Sequence, residues 1–204
     1  SGGHGRPAIS DIVYERLVAD SAIYTPGTSC VYPEKCARSG LRVVSGYTES
    51  RTNAERGVYE YHYADGRFDV QGRGFLGFRK VTSTEKNSGL RLEKTHEMAF
   101  PFTGMPAIEQ ITVPLRDGTG RSHKTTTTYR NVDLRWPSGT SYVGHTVYAD
   151  KITIDESELV RDIDVPVASE IRTESRDIYG NALKRSVLVT DTNGGFDNQD
   201  PSLV

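Results

Sequence analysis

The sequence predicts an all-β protein of antiparallel hairpins, arranged as a sandwich or a curved open sheet. Three observations carry this. Stretches of strand character recur along the chain, separated by short turns rich in Gly, Asn, Asp and Ser. No stretch sustains the 3.6-residue apolar repeat of an amphipathic helix. The composition favours side chains that suit a pleated surface, with 11 Tyr and 6 Phe among 204 residues and a run of threonines at 125–128.

The elements follow in order. Residues 9–17 place Ile9, Ile12, Val13, Arg16 and Leu17 at a spacing open to a short helix or a strand, and a strand is expected. Residues 24–35 are punctuated by proline and glycine and read as loop. Residues 41–47 read as a short strand, and 48–56 as a polar, charged loop. The chain is organised around 59–78, YEYHYADGRFDVQGRGFLGF. There Tyr59, Tyr61 and Tyr63 alternate with Glu60 and His62, the period of two of a half-buried strand. Asp65-Gly66, followed by Arg67, supplies a turn that tolerates positive φ. Gly72, Gly74 and Gly77, interleaved with Arg73, Phe75, Leu76 and Phe78, predict a bulged or bent backbone packed against a close neighbour. Tyr59, Tyr61, Tyr63, Phe75, Leu76 and Phe78 are the expected filling of the sheet core.

Beyond this stretch, 75–84 and 90–100 form a hairpin about the turn residues 85–89. A second hairpin joins 108–116 to 122–129 through 117–121. Trp136-Pro137-Ser138-Gly139 makes a turn before a strand over 141–154, and the acidic 155–160 suits one helical turn. Strands 170–176 and 183–190 pair about 178–181, and a polar, glycine-rich tail begins at Asp191. The organisation is thus an N-terminal strand and Cys loop (1–40), a β-rich region (41–190) and a tail (191–204).

No constellation in the sequence specifies an enzyme. Ser83-Thr84-Glu85-Lys86 fits the S-x-x-K pattern, but it runs from a strand into a hairpin loop and lacks the companion motifs of acyl-enzymes. Glu156-Ser157-Glu158 is an E-x-E pair without the arginine and serine-threonine strand that cradle NAD in ADP-ribosyltransferases; a solvated acidic turn is expected. His4, His62, His96, His123 and His145 show no i,i+2 or i,i+4 pairing, although His62 and His96 lie on strand-like runs that could approach. Asp191, Asn193, Asp197, Asn198 and Asp200 gather oxygen ligands without the spacing of a calcium loop. The aromatic set Tyr59, Tyr61, Tyr63, Phe68, Phe75, Phe78 and Trp136 offers a sugar-stacking face or, more commonly, a sheet core. Cys30 and Cys36 enclose five residues, Pro33 among them. They close a local disulfide, worth about 2–3 kcal/mol for so small a ring, or remain thiols; zinc lacks the further ligands it needs. No cofactor and no metal are expected.

The segments YHYADGR and DVQGRGFLGF resemble those near the junction of propeller and shell in bacterial RHS/YD-repeat proteins, including the B components of insecticidal Tc toxin complexes. CVYPEKC at 30–36 is similar to a segment that precedes the DGR motif in that family. SRDIYGNALKRSV at 175–187 is similar to a degenerate YD repeat, Tyr-Asp-x-x-Gly-Asn, with Arg176 in the tyrosine's place. The resemblance spans 30–190 and is carried chiefly by 72–78. It implies a non-catalytic, shell-type β segment of a secreted or cell-surface bacterial protein. Its partners would be other regions of the same polypeptide, which encloses a toxic C-terminal cargo. Hairpins of this type stack on neighbours, so at least one sheet edge is expected to pair with the rest of the polypeptide or with a second copy.

Charge and hydropathy agree with these expectations. A net charge of −2 and a pI near 6.2 give no basic excess for nucleic acid. No run of about 18 apolar residues provides a membrane span. Ser1-Gly2-Gly3 has the look of a cloning remnant, and no signal peptide can be read, so export is implied by the resemblance alone.

Overall fold

The computed structural model describes residues 8–50, 56–115, 119–135, 143–160, 163–177 and 181–191. They form twelve strands and no helix: β1 (Ala8–Val18), β2 (Tyr24–Thr25), β3 (Glu34–Cys36), β4 (Ser39–Ser50), β5 (Arg56–Asp69), β6 (Gly74–Glu85), β7 (Arg91–His96), β8 (Pro106–Pro114), β9 (Thr119–Arg135), β10 (Val143–Val160), β11 (Ile163–Arg176) and β12 (Ala182–Asp191). All belong to one open sheet, in the order β1-β4-β5-β6-β7-β8-β9-β10-β11-β12. From β4 onward each strand pairs with the next in sequence, so short polar turns suffice to build it. The sheet does not close on itself: β1 and β12 are its two edges.

The exception to the meander fixes the core. β4 pairs with only the first part of β5, Gly46 to Ser50 against Arg56 to Glu60. Further along, β2 pairs in parallel at Tyr63 and Ala64, and β3 pairs antiparallel from Arg67 to Asp69. The segment between β1 and β4 is thereby folded against the sheet. It brings Leu17, Ile23, Tyr24 and Ala37 together as the buried cluster, with Tyr63, Phe68 and Phe78 of β5 and β6 packed on it.

Several expectations are corrected. Residues 24–35 are not simply loop: they contain β2 and most of β3, and Tyr24 is fully buried. The strand expected over 41–47 runs to Ser50, into what read as loop; 51–55 lie outside the described residues. Asp65-Gly66 does not turn the chain. β5 continues through it to Asp69, with Asp65 at φ 50° as an in-strand irregularity. The reversal comes at 70–73, where the Asp69 carboxylate accepts a hydrogen bond from the Gln71 amide at 2.6 Å. Glu156 to Val160 are strand rather than helix, because β9 and β11 both pair with them. The strand after the 86–89 turn ends at His96, short of Phe100. The turn expected at 136–139, all but Asn181 of the turn expected at 178–181, and the tail beyond Asp191 lie outside the described residues.

The three glycines of the central stretch take positive φ, 120° at Gly72, 73° at Gly74 and 106° at Gly77. The expected close neighbour is absent: a Cβ at any of the three would meet nothing within 4 Å. Their requirement is therefore conformational. Close approach occurs instead at Gly46, whose Cβ would stand 2.6 Å from the Tyr59 carbonyl oxygen, and at Gly66 against the Phe78 ring at 3.0 Å.

Candidate functional site

The central stretch builds two features side by side. The first is a ladder of rings. Tyr47 of β4 stacks on Tyr59, its cross-strand partner, at 4.6 Å between centroids and 10° between planes. Contacts continue from Tyr47 to Tyr61 and from Tyr61 to Tyr63, each at 6.1 Å. They pass on to Phe78 at 4.6 Å, Phe75 at 5.2 Å and Phe68 at 5.0 Å. The alternation seen in the sequence thus places Tyr59, Tyr61 and Tyr63 on one face, but as a half-buried ladder and not as the buried core. Phe75 is 39% exposed, and Leu76 is half-buried. Burial, followed by the neighbouring phenol Tyr61, pushes the Tyr47 and Tyr63 phenols up to about 12. Tyr63 donates to the Val44 carbonyl at 2.8 Å and Tyr59 to Glu49 at 3.1 Å.

The second feature is the anchor behind the irregularity of β5. Tyr24 donates to the Ala37 carbonyl at 2.6 Å and accepts from the Gly66 amide at 3.2 Å, with its ring edge-on to Phe78. One buried hydroxyl thereby ties the covering segment to the strand. Beside it, Arg67 grips Asp65 through two nitrogens, at 3.1 and 2.8 Å, and Glu34 of β3 at 2.7 Å. These carboxylates hold the guanidinium charged well above its ordinary range. Cys30 and Cys36 are joined by a disulfide with Cα atoms 5.5 Å apart. Both sulfurs and an Asp65 oxygen lie within 4.8 Å of one another. The sulfurs are spent on each other and Asp65 on Arg67, so this donor set is a brace and not a metal cage.

The polar constellations stay apart or stay simple. Ser83 sits in the β5–β6 ladder opposite Tyr61, while Lys86 pairs with Glu60. His62 contacts Thr25 Oγ1 at 3.2 Å, and its ring is held below its ordinary pKa by burial and then by Lys80 and Arg91. His96 Nδ1 lies 3.1 Å from the Phe78 carbonyl oxygen, so the two histidines engage different partners. His4 lies outside the described residues, and of His145 only the backbone is described. Glu156 and Glu158 share a face with His123, whose Nδ1 is 3.6 Å from Glu156, along an open groove of about 360 Å³. Both side chains are exposed there, in an open groove that water enters freely, a setting that does not hold the ring for acid–base work. Of the oxygen-rich tail only Asp191 is described, and Trp136 is not.

Three important residues were invisible as such in the sequence. Tyr24 lies in a stretch that reads as loop and Tyr47 at the end of one that reads as a short strand. Glu85 is 1% exposed, although in the sequence it stands only as a turn residue and as a spacer of the S-x-x-K match. Its carboxylate accepts from the amides of Asn87 at 3.2 Å and Ser88 at 2.7 Å and from the Ser88 hydroxyl. Those bonds, the Ser88 hydroxyl foremost, keep it below the ordinary carboxylate range despite its burial. A Glu two residues ahead of Asn-Ser-Gly, as in Glu85-Lys86-Asn87-Ser88-Gly89, is the available signal.

The sheet edges complete the inventory. Every residue of β12 is exposed, including Leu183, Val187, Leu188 and Val189. No family model, no curated protein and no solved structure matches this chain.

Proposed function

We propose that this chain is a non-catalytic, sheet-building segment of a secreted bacterial protein of the RHS/YD-repeat type, and that strands from its surroundings complete its sheet. The observation that carries the reading is the open edge: β12 is a ten-residue strand with exposed valines and leucines and, among the described residues, no layer over either face. Such an edge is a liability unless something pairs with it. The resemblance of residues 30–190 supplies the kind of protein, and the ring ladder and Arg67 brace supply packing in place of chemistry.

Amide hydrogen exchange along β12 tests this, in the dilute chain and in the longer polypeptide to which the resemblance points. Alternate amides of β12 should exchange freely in the first and be protected in the second. Equal, fast exchange in both removes the reading.

A glycan-binding module is the second reading, favoured by the groove of about 270 Å³ beside Tyr47, Tyr59 and Tyr61. The faces of Tyr47 and Tyr59 that a sugar would stack on cover each other at 4.6 Å. Saturable binding on a glycan array, lost in Tyr61→Ala, would promote this reading over the first.

A further inference from the structure

We infer that two copies of the chain join through β12, antiparallel, about a two-fold axis at Leu188. This rests on the reading that further strands complete the sheet; it names the edge, the partner and the register.

The two edges are not equivalent. The register of β1 against β4 shifts between Ser10 and Val13, between Val13 and Tyr14, and between Arg16 and Val18, and Asp11 has φ 52°. Such irregularities turn backbone groups out of the even row that an incoming strand needs. β12 pairs with β11 without a shift from Lys184 to Asp191. It contains no proline, and Val187, Leu188 and Val189 are 49, 38 and 43% exposed. Head-to-tail addition, β12 onto the β1 of a copy, would have to use the broken edge. β12 against β12 uses the regular edge twice.

The register follows from side-chain chemistry. Directly opposed residues of an antiparallel pair project to the same face. A two-fold axis normal to the sheet must therefore pass between a residue and its own copy, since neighbouring residues point to opposite faces. With Leu188 on the axis, Leu188 meets Leu188, Val187 meets Val189, Ser186 meets Thr190, and Arg185 meets Asp191. With Val187 on the axis, Ser186 faces Leu188, Arg185 faces Val189 and Leu183 faces Asp191, each a polar group against an apolar one. Parallel pairing in register would set Lys184 and Arg185 beside their own copies. The strand runs from basic at its start to acidic at its end, so only the antiparallel arrangement is charge-complementary.

The full chain in sedimentation velocity should shift with concentration from 22.6 kDa toward twice that mass. Leu188→Lys should return it to the monomer with its strand content by circular dichroism unchanged and its melting independent of concentration. Position is read by cross-linking. The two native cysteines are bonded to each other, so Leu188→Cys adds the single free thiol. Under copper-catalysed air oxidation it should form covalent dimers about tenfold or more faster than Leu183→Cys, because pairing raises the effective concentration of one thiol at the other. A native chain that stays monomeric at all concentrations overturns the proposal, as do equal cross-linking rates at the two positions. If pairing fails while β12 amides are protected in the longer polypeptide, the self-pairing falls and the sheet-completion reading stands. If both fail, both fall.

Discussion

The molecule holds its strands in two different ways on either side of residue 119. Before it, a folded-over segment covers the sheet, and all four residues of the buried cluster lie between Leu17 and Ala37. After it, strands of 17, 18, 14 and 10 residues form a single layer in which Tyr148 is the buried large apolar side chain among the described residues. That layer relies on its backbone ladder and on cross-strand side-chain pairs. Ser169 donates to Asp155 at 2.7 Å, Arg185 meets Glu174 at 2.7 Å, and the Arg176 guanidinium lies over the Tyr148 ring at 5.1 Å. Such pairs contribute about 0.2–1 kcal/mol each, against about 3–5 kcal/mol for a large buried side chain. Hydrophobic burial and strand length are thus separate means to order, and this chain uses one in each half.

The sharpest way to break the comparison is to empty one site in each half. Tyr24→Ala removes a fully buried ring and the hydroxyl that joins Ala37 to Gly66. It should cost about 3–5 kcal/mol in urea unfolding, whereas Leu188→Ala in monomeric chain should stay within about 0.5 kcal/mol. Comparable losses would show that the single layer is not held differently.

A smaller effect is expected at Gly74. Its φ of 73° suits glycine, and the open space beside it leaves strain as the cost of a side chain. Gly74→Val should destabilise by about 1–2 kcal/mol, read from the denaturation midpoint at an unchanged slope. A neutral outcome would mean that the turn relaxes and that the central stretch is not conformationally fixed.

The smallest effect is a pH dependence that is strongest in the covered half, although burial also raises the Tyr129 phenol of β9. The Tyr47 and Tyr63 phenols sit at about 12 in the fold against 10.0 otherwise. The folded state therefore favours the protonated form. That stabilisation is complete below pH 10 and is lost as pH rises from 10 through 12. Phenolate absorbance should show these two, with Tyr24 and Tyr129 also raised by burial, ionising late among the 11 tyrosines, together with alkaline loss of stability. A single titration step for all 11 would contradict the burial assigned to the ladder.

The all-β class was legible because strand patterns and turn residues coincide. The 86–89 hairpin and the threonine-rich β9 are direct consequences of Gly89 and of β-branched residues at 125–128. The position of the core was not legible. Tyr24 owes its burial to parallel pairing with Tyr63, a contact across 39 positions that no local pattern encodes. Glu156 and Glu158 read as an acidic turn because local propensity cannot register two flanking strands. At Asp65-Gly66 the sequence signalled an unusual φ, and the structure has one; what the residue types could not convey was that Arg67, Glu34 and the β3 pairing hold the strand on course through it.

The register shifts of β1 bear on how many molecules can gather, and not only on how well they fit. A template that recruits copies indefinitely needs two receptive ends, one to be captured and one to capture. With the register of β1 broken at three places, the regular edge among the described strands is β12 alone, and on the self-pairing proposed above it is the one receptive end. Whatever occupies that end also uses it up, so assembly by this route stops at a fixed number and does not run on into a fibre.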